Sequence, residues 1–193
     1  SGHKFYGPKG IGALYIRSGT RVNKYLHGGA QERNRRATTE NVSAIVGLGK
    51  AAELAEKSLS EKQNRLIKLR DKLITGVEEE IDHVLLNGHR SKRLPGNVSF
   101  CIKYIEGESI LMKLDLEGNA ASSGSACNSG SLDPSHVLLA MGLDHGIAHG
   151  SLRLSLGKYN TEAEVDKVLE VLPKVVADLR AMSPIYKKEI DKG

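Results

Sequence analysis

Tryptophan is absent from this chain, and phenylalanine and tyrosine together make up only 4% of its 193 residues. So few rings leave little to stack against nucleic-acid bases. Only two cysteines are present, Cys101 and Cys127. They cannot build a disulfide framework, so the expectation is a reducing, cytoplasmic setting. Long apolar runs are missing as well. The longest comparable stretch, Val137 to Leu143, is short and contains Gly142, well under the roughly 18 consecutive apolar residues that a membrane-spanning helix needs. Charge of one sign is not in great excess. The 28 Lys and Arg residues against 23 Asp and Glu give a net charge of +5, mild beside the clustered basic footprint of a nucleic-acid binder. Neither nucleic acid nor membrane is an expected partner, and no metal ligation is expected.

What is present is a globular composition, 39% hydrophobic and 26% charged, with 21 glycines. The length suits one domain, or one and a fraction, and can bury a core. Residues 1–12 are glycine-rich and polar and read as a loop. Ile11 to Arg17 reads as a short strand. From about Glu40 to Ile81 the pattern is helical, in one helix or two, with Leu66, Leu69, Leu73, Val77 and Ile81 on one face. Val84 to Asn87 and Asn97 to Tyr104 read as strands, and Glu108 to Glu117 as a helix closed by Gly118. Ala120 to Ser123 reads as a further short strand, Asp133-Pro134 as the start of a helix through Met141, and Ser151 to Leu156 as a strand. Thr161 and Glu164 form a capping box for a last helix. Its apolar stripe runs from Val165 to Leu179, with a kink expected at Pro173. The fold class is therefore α/β, with an αββαβα block after a boundary near Lys57: residues 1–57 and 58–193.

Four stretches carry chemistry. Ser1-Gly2-His3-Lys4, followed by Gly7-Pro8-Lys9-Gly10, places an amine among glycines, a hydroxyl and an imidazole. That set suits an anion or a carbonyl: Lys4 as a Schiff-base lysine, with Ser1 and His3 as phosphate donors. The plain alternative is a solvated lysine on a flexible terminus. Residues 122–131, SSGSACNSGS, surround Cys127 with small polar residues, so it has nothing apolar to pack against locally. It reads as an exposed nucleophile on a moving loop, or as an incidental loop cysteine. Cys101, inside Val98-Ser99-Phe100-Cys101-Ile102, reads as packed and structural. In the alternating stretch Ser151 to Leu156, Arg153 shares a face with Ser151 and Ser155, opposite the leucines. It would pair with a carboxylate, or be an ordinary structural or solvated arginine. Residues 33–41, RNRRATTEN, are a solvated charged face, or a helix start where Thr38 and Thr39 cap and a phosphate could sit.

Taken in order, SGHK with GPKGIGALY, HGG at His27 to Gly29, EGES at Glu106 to Ser109, SSGSAC at Ser122 to Cys127 and SLRLSLG at Ser151 to Gly157 closely resemble the pyridoxal-phosphate-dependent cysteine desulfurases of the NifS/IscS type, in the class V aminotransferase group. The resemblance corresponds to the C-terminal half of such an enzyme. It implies the end of a large cofactor domain of a fold type I PLP-dependent transferase (residues 1–57), then the small domain with the catalytic cysteine loop (58–193). Lys4 stands so near the start of the chain that an N-terminal part is expected to be missing. The family's ring-stacking histidine, pyridine-nitrogen acid and substrate asparagine have no counterpart here.

The resemblance also implies roles. Lys4 holds pyridoxal 5'-phosphate as a Schiff base and shuttles protons; Ser1, His3 and Thr39 bind the cofactor phosphate, Thr39 across a homodimer. Arg153 binds the carboxylate of L-cysteine, and Cys127 takes the sulfur as a persulfide for a sulfur-acceptor or scaffold protein in iron–sulfur cluster assembly. Other class V lyases or aminotransferases, such as a selenocysteine lyase-like enzyme, and a catalytically silent dimerisation fragment are the alternatives. Within Arg36-Ala37-Thr38-Thr39, Thr38 stands where the family has glycine; if that position needs a positive φ, Thr38 is strained.

Overall fold

A computed structural model describes residues 1–123 and 133–190. The chain divides into two units, Ser1–Ser60 and Glu61–Gly193. Among the described residues no helix is long and apolar enough to cross a membrane.

The first unit is mostly irregular. It opens with a 3-10 turn, Gly2–Phe5. A four-residue segment, α1 (Gln31–Asn34), and one true helix, α2 (Val42–Lys57), follow much later. The expected strand at Ile11 to Arg17 does not form. Leu14 and Tyr15 stand exposed, and the stretch has no ladder partner among the described residues. Alternation and β-propensity make a strand only where a neighbour takes up the backbone hydrogen bonds. Helix α2 is capped by the Asn41 side chain, which accepts from the Ala44 N–H at 3.2 Å. The cap is thus Asn41, rather than Thr38 or Thr39. Close approach joins α2 to the opening turn: a Cβ at Gly47 would lie 2.6 Å from Pro8 Cγ.

The second unit holds a three-stranded antiparallel sheet in the order β1 (Val84–Leu86), β2 (Asn97–Ile102), β3 (Ser151–Ser155). Period-2 alternation gives the sheet two unlike faces. Val98, Phe100 and Ile102 of β2 and Leu152 and Leu154 of β3 enter the main core. There they meet α3 (Leu59–Glu80) through Leu69, Leu73, Ile74, Val77 and the following Ile81. They also meet α4 (Gly107–Leu116) through Ile110 and Leu114, and α7 (Glu162–Met182) through Val165, Leu172, Val175 and Val176. The helical face expected from Leu66 to Ile81 is buried throughout.

The capping box is formed as expected: Thr161 N–H donates to Glu164 Oε2 at 2.8 Å, and Glu164 N–H to Thr161 Oγ1 at 3.3 Å. Helix α7 runs unbroken through Pro173, so the proline does not end it. Leu172 and Val175, close to the proline in sequence, are buried in the main core, at the turn where Pro173 lacks a backbone donor.

Three short helices were not read from the sequence in this form. The stretch after Asp133 is helical only at α5 (His136–Ala140). Next comes α6 (His145–His149), capped by Asp144 Oδ1 accepting from Ile147 N–H at 2.9 Å. Last is α8 (Pro184–Ile190). The buried Arg180 guanidinium supports the approach to α8. It donates to the Asp82 carbonyl at 2.7 Å, while Ser183 Oγ donates to the Tyr104 carbonyl at 2.6 Å. Leu138 of α5 and Ala148 of α6 cover Cys101 in a small second cluster on the other side of the sheet. Gly150 is required there: a Cβ would overlap the Ile102 carbonyl oxygen.

Candidate functional site

The opening turn is closed by backbone bonds that no side chain supplies. Gly2 N–H donates to the Ile11 carbonyl at 2.7 Å and Gly7 N–H to the Gly2 carbonyl at 2.9 Å. Gly2 is buried, and a Cβ there would press on Ile11, the Pro8 carbonyl and Leu48 at 3.0–3.1 Å. This closure brings Ser1 and His3 together, Ser1 Oγ to His3 Nδ1 at 2.9 Å. Both line a cavity of about 510 Å³ together with residues 10–14. Lys4 follows on the same turn, exposed and outside that lining.

Residues 27–41 are held in unusual backbone. Glu32, Arg33 and Asn34 carry φ of 51°, 57° and 60°, so α1 is a left-handed turn. Single αL residues are ordinary for Asn, but three in succession are costly without glycine. Lys24 Nζ donates to Asn34 Oδ1 at 2.9 Å and helps to hold the turn. Thr38 has φ 97°. The expected strain is therefore present: a β-branched side chain in this region costs on the order of 1–3 kcal/mol. Arg36 Nη1 donates to Thr38 Oγ1 at 2.6 Å and to the Ala37 carbonyl at 3.3 Å. Ala37 is buried, and a Cβ on Gly28 would meet its methyl at 3.1 Å. Thr39 comes next, exposed, two residues before the Asn41 cap. The anchoring role of Arg36 was not legible, because it depends on the backbone fold of its own neighbours.

In the second unit Arg153 occupies the middle of β3, on the sheet face opposite the main core. Leu152 and Leu154 point into the core, and the register sets Ser99 opposite Arg153 and Cys101 opposite Ser151. The expected split of arginine and leucines onto opposite faces holds. Ser151 is itself buried. The stretch read as a strand at Ala120 to Ser123 reduces to a single bridge. Ser122 N–H donates to the Arg153 carbonyl at 3.1 Å, and Arg153 N–H to the Ser122 carbonyl at 2.6 Å. Arg153 is half-buried, with its Nε sealed from solvent. Cys101 is fully buried, as its sequence setting implied. Burial pushes its thiol pKa up, and the Asn87 amide beside it pulls the other way. Cys127 lies outside the described residues.

The structure thus pairs Ser1 with His3, places Lys4 on their turn and Thr39 in the same unit, and anchors Arg153 beside the chain that leads toward Cys127. Another cavity, of about 610 Å³, is walled by Ile105, Ile147, Leu179 and Met182 and holds none of these residues.

The chain belongs to the class-V aminotransferase family, whose profile matches residues 1–168. Among its relatives, cysteine desulfurase IscS of Methanosarcina thermophila is 59% identical over 98% of this chain and 46% of that protein. Cysteine desulfurase IscS of Clostridium botulinum (strain Hall) is 57% identical over 96% of this chain and 47% of that protein. Among solved structures, a NifS-like protein superposes with a TM-score of 0.81 at 38% identity, over 93% of this chain and 46% of the other. A NifS-like protein from Rickettsia africae gives 0.73 at 28% identity, over 82% of this chain and 41% of that chain. The chain spans about half the length of the relatives it matches. The α/β expectation, a fold type I PLP-dependent transferase, holds. The residues present fit such a cofactor. Hydroxyl and imidazole meet in a glycine-lined hollow, and a Cβ on Gly12 would fill space 3.4 Å from Ser1 Cα. A primary amine stands on the same turn.

Proposed function

We propose that this chain carries the C-terminal share of a cysteine desulfurase, which takes sulfur from L-cysteine, leaves L-alanine and passes the sulfur to an acceptor protein. Residues 1–57 are the end of the cofactor domain and residues 58–193 the small domain. The observation that carries the reading is the Ser122–Arg153 pair of backbone hydrogen bonds. It fixes the root of the segment bearing Cys127 against the arginine that suits the substrate carboxylate. Cys127 lies five residue steps beyond Ser122, at most about 18 Å of chain, so the thiol is leashed to that arginine.

Ser1 and His3 hold the cofactor phosphate, and Thr39 reaches the phosphate held by a second subunit, which makes the site a property of a homodimer. Lys4 supplies the amine for the cofactor aldehyde. When bound, pyridoxal phosphate supplies an electron sink that makes the substrate Cα proton removable. The Lys4 amine would take that proton and later return one. Arg153 engages the carboxylate through parallel N–H donors and fixes the orientation of the amino acid.

The Cys127 thiolate then attacks the substrate sulfur. An S–S bond forms and the C–S bond breaks, its electron pair passing to carbon, which is protonated on the way to alanine. Only the thiolate is competent, so the site must favour it or supply a base. The persulfide on Cys127 is carried on its loop to an acceptor or scaffold protein, which serves iron–sulfur cluster assembly.

The test is L-cysteine-dependent release of sulfide by the chain joined to the upstream residues that its relatives carry. Cys127→Ser should abolish release under reducing conditions, and Lys4→Ala should remove the near-visible absorbance that pyridoxal phosphate confers. Sulfide release that survives Cys127→Ser unchanged overturns the persulfide route.

A further inference from the structure

Arg153 is one member of a row that crosses the sheet. The register sets Ser99 of β2 directly opposite it on one side, and the isolated bridge sets Ser122 opposite it on the other. Directly opposed residues of an antiparallel pair share a face, with Cβ atoms about 4.5–5.5 Å apart. Asn87, just past β1, closes the row. Its backbone N–H donates to the Ser99 carbonyl at 2.9 Å, and its side-chain Nδ2 to Ser99 Oγ at 3.1 Å.

Asn87 is only 9% exposed, and Nδ2 also lies 3.4 Å from the buried Cys101 Sγ. The amide is therefore held on both sides, and the Ser99 hydroxyl that accepts from it loses its freedom to rotate. A long guanidinium side chain has many rotamers. A rigid neighbour beside its stem removes the wrong ones before a carboxylate arrives. The sealed Nε of Arg153 shows that the stem lies against protein rather than in water.

We propose that Asn87 and Ser99 are positioning residues for Arg153: the Asn87 amide locks the Ser99 hydroxyl, and the locked serine sets the stem of Arg153 so that its guanidinium has one aim. The functional weight of this rests on the reading of Arg153 as the carboxylate-binding group. Neither residue needs to touch the substrate.

The experiment is hydrogen exchange of the Arg153 Nε–H, followed by ¹⁵N NMR on the 193-residue chain and assigned by the signal lost in Arg153→Lys. Exchange should be slow in the unaltered chain. Ser99→Ala and Asn87→Leu should each speed it tenfold or more, while backbone amides of β2 and β3 stay within twofold. Ser99→Thr, which keeps the hydroxyl, should restore slow exchange.

Unchanged Nε–H exchange in both variants overturns the proposal. So does an acceleration shared equally by the strand amides, since that marks loosening of the sheet rather than release of one side chain. The reading of Arg153 itself is tested apart from this. In the chain joined to its upstream residues, Arg153→Lys should raise KM for L-cysteine about tenfold. A KM that does not move removes the substrate role and leaves the exchange result standing.

Discussion

The two units of the chain are built on opposite plans. From Glu61 onward, Leu, Ile, Val and Phe side chains from three helices and a sheet enclose one core. In residues 1–60 the buried apolar side chains are three alanines, Ala37, Ala44 and Ala51, while Leu14, Tyr15 and Tyr25 are 77%, 87% and 92% exposed. The first unit keeps its shape by backbone closures, left-handed residues and glycine contacts, the second by burial. The contrast shows where each kind of chemistry is affordable. The cavity of Ser1 and His3 sits on backbone that glycine makes possible, whereas Arg153 stands on a sheet whose other face is anchored in the core.

Phe100→Ala should break the second plan. The side chain is fully buried at the centre of the sheet, and such truncations cost about 3–5 kcal/mol. Tyr25→Ala in the first unit should cost within about 0.5 kcal/mol, as for other exposed positions. Urea unfolding of the two variants measures the difference. Equal losses would mean that Tyr25 is covered and that the contrast between the units is false.

The same contrast decides what could be read from the sequence. Where burial governs, periodicity is a direct record of it. The stripe from Leu66 to Ile81, the alternation around Arg153 and the packed setting of Cys101 were all legible, and so was the Thr161–Glu164 cap. Where backbone geometry governs, the residues carry little trace. Ile11 to Arg17 has the composition of a strand but no ladder partner. The turn at Glu32 to Asn34 includes Glu32 and Arg33, residue types that rarely adopt positive φ, and Asn87 reveals its part only once β1 and β2 are paired. Of the candidate site, Ser1, His3, Lys4, Thr39, Cys127 and Arg153 were suggested by residue chemistry, with alternatives open, and given definite roles by motif resemblance. The row behind Arg153 came only from register.

Thr38→Gly sharpens the comparison at the point where the first unit stores strain. Glycine accepts φ 97° without a Cβ penalty, at some cost in unfolded-chain entropy. The net gain should be about 1 kcal/mol, after loss of the exposed Arg36–Thr38 hydrogen bond. Amide exchange of residues 37–44 should slow roughly fivefold, since 1.4 kcal/mol is tenfold. Faster exchange there would show that the hydrogen bond outweighs the strain.

The smallest effect separates the two helix starts by acid. At the start of α7 the Thr161 N–H, with Asn160 beside it, holds the Glu164 carboxyl below the usual carboxylate range. A depressed folded value means that this contribution is complete above the unfolded glutamate pKa of about 4.3, and is lost as pH falls through the lower folded value. Helix α2 has Asn41 as its cap and Ala44 at the matching position, so its cap has no proton to gain. Acidification from pH 6 to 3 should therefore speed amide exchange in the first turn of α7 more than in the first turn of α2. Lys72 also pairs with Glu162 and Asp166 at 2.7 and 2.5 Å, ion pairs on the same first turns of α7. Glu164→Gln is the control that isolates the cap, because it keeps an acceptor that cannot be protonated in this range. It should flatten part of the acid response of α7 and leave α2 as it was. Acid curves for α7 that run parallel with and without Glu164 would show that the cap contributes nothing to the response.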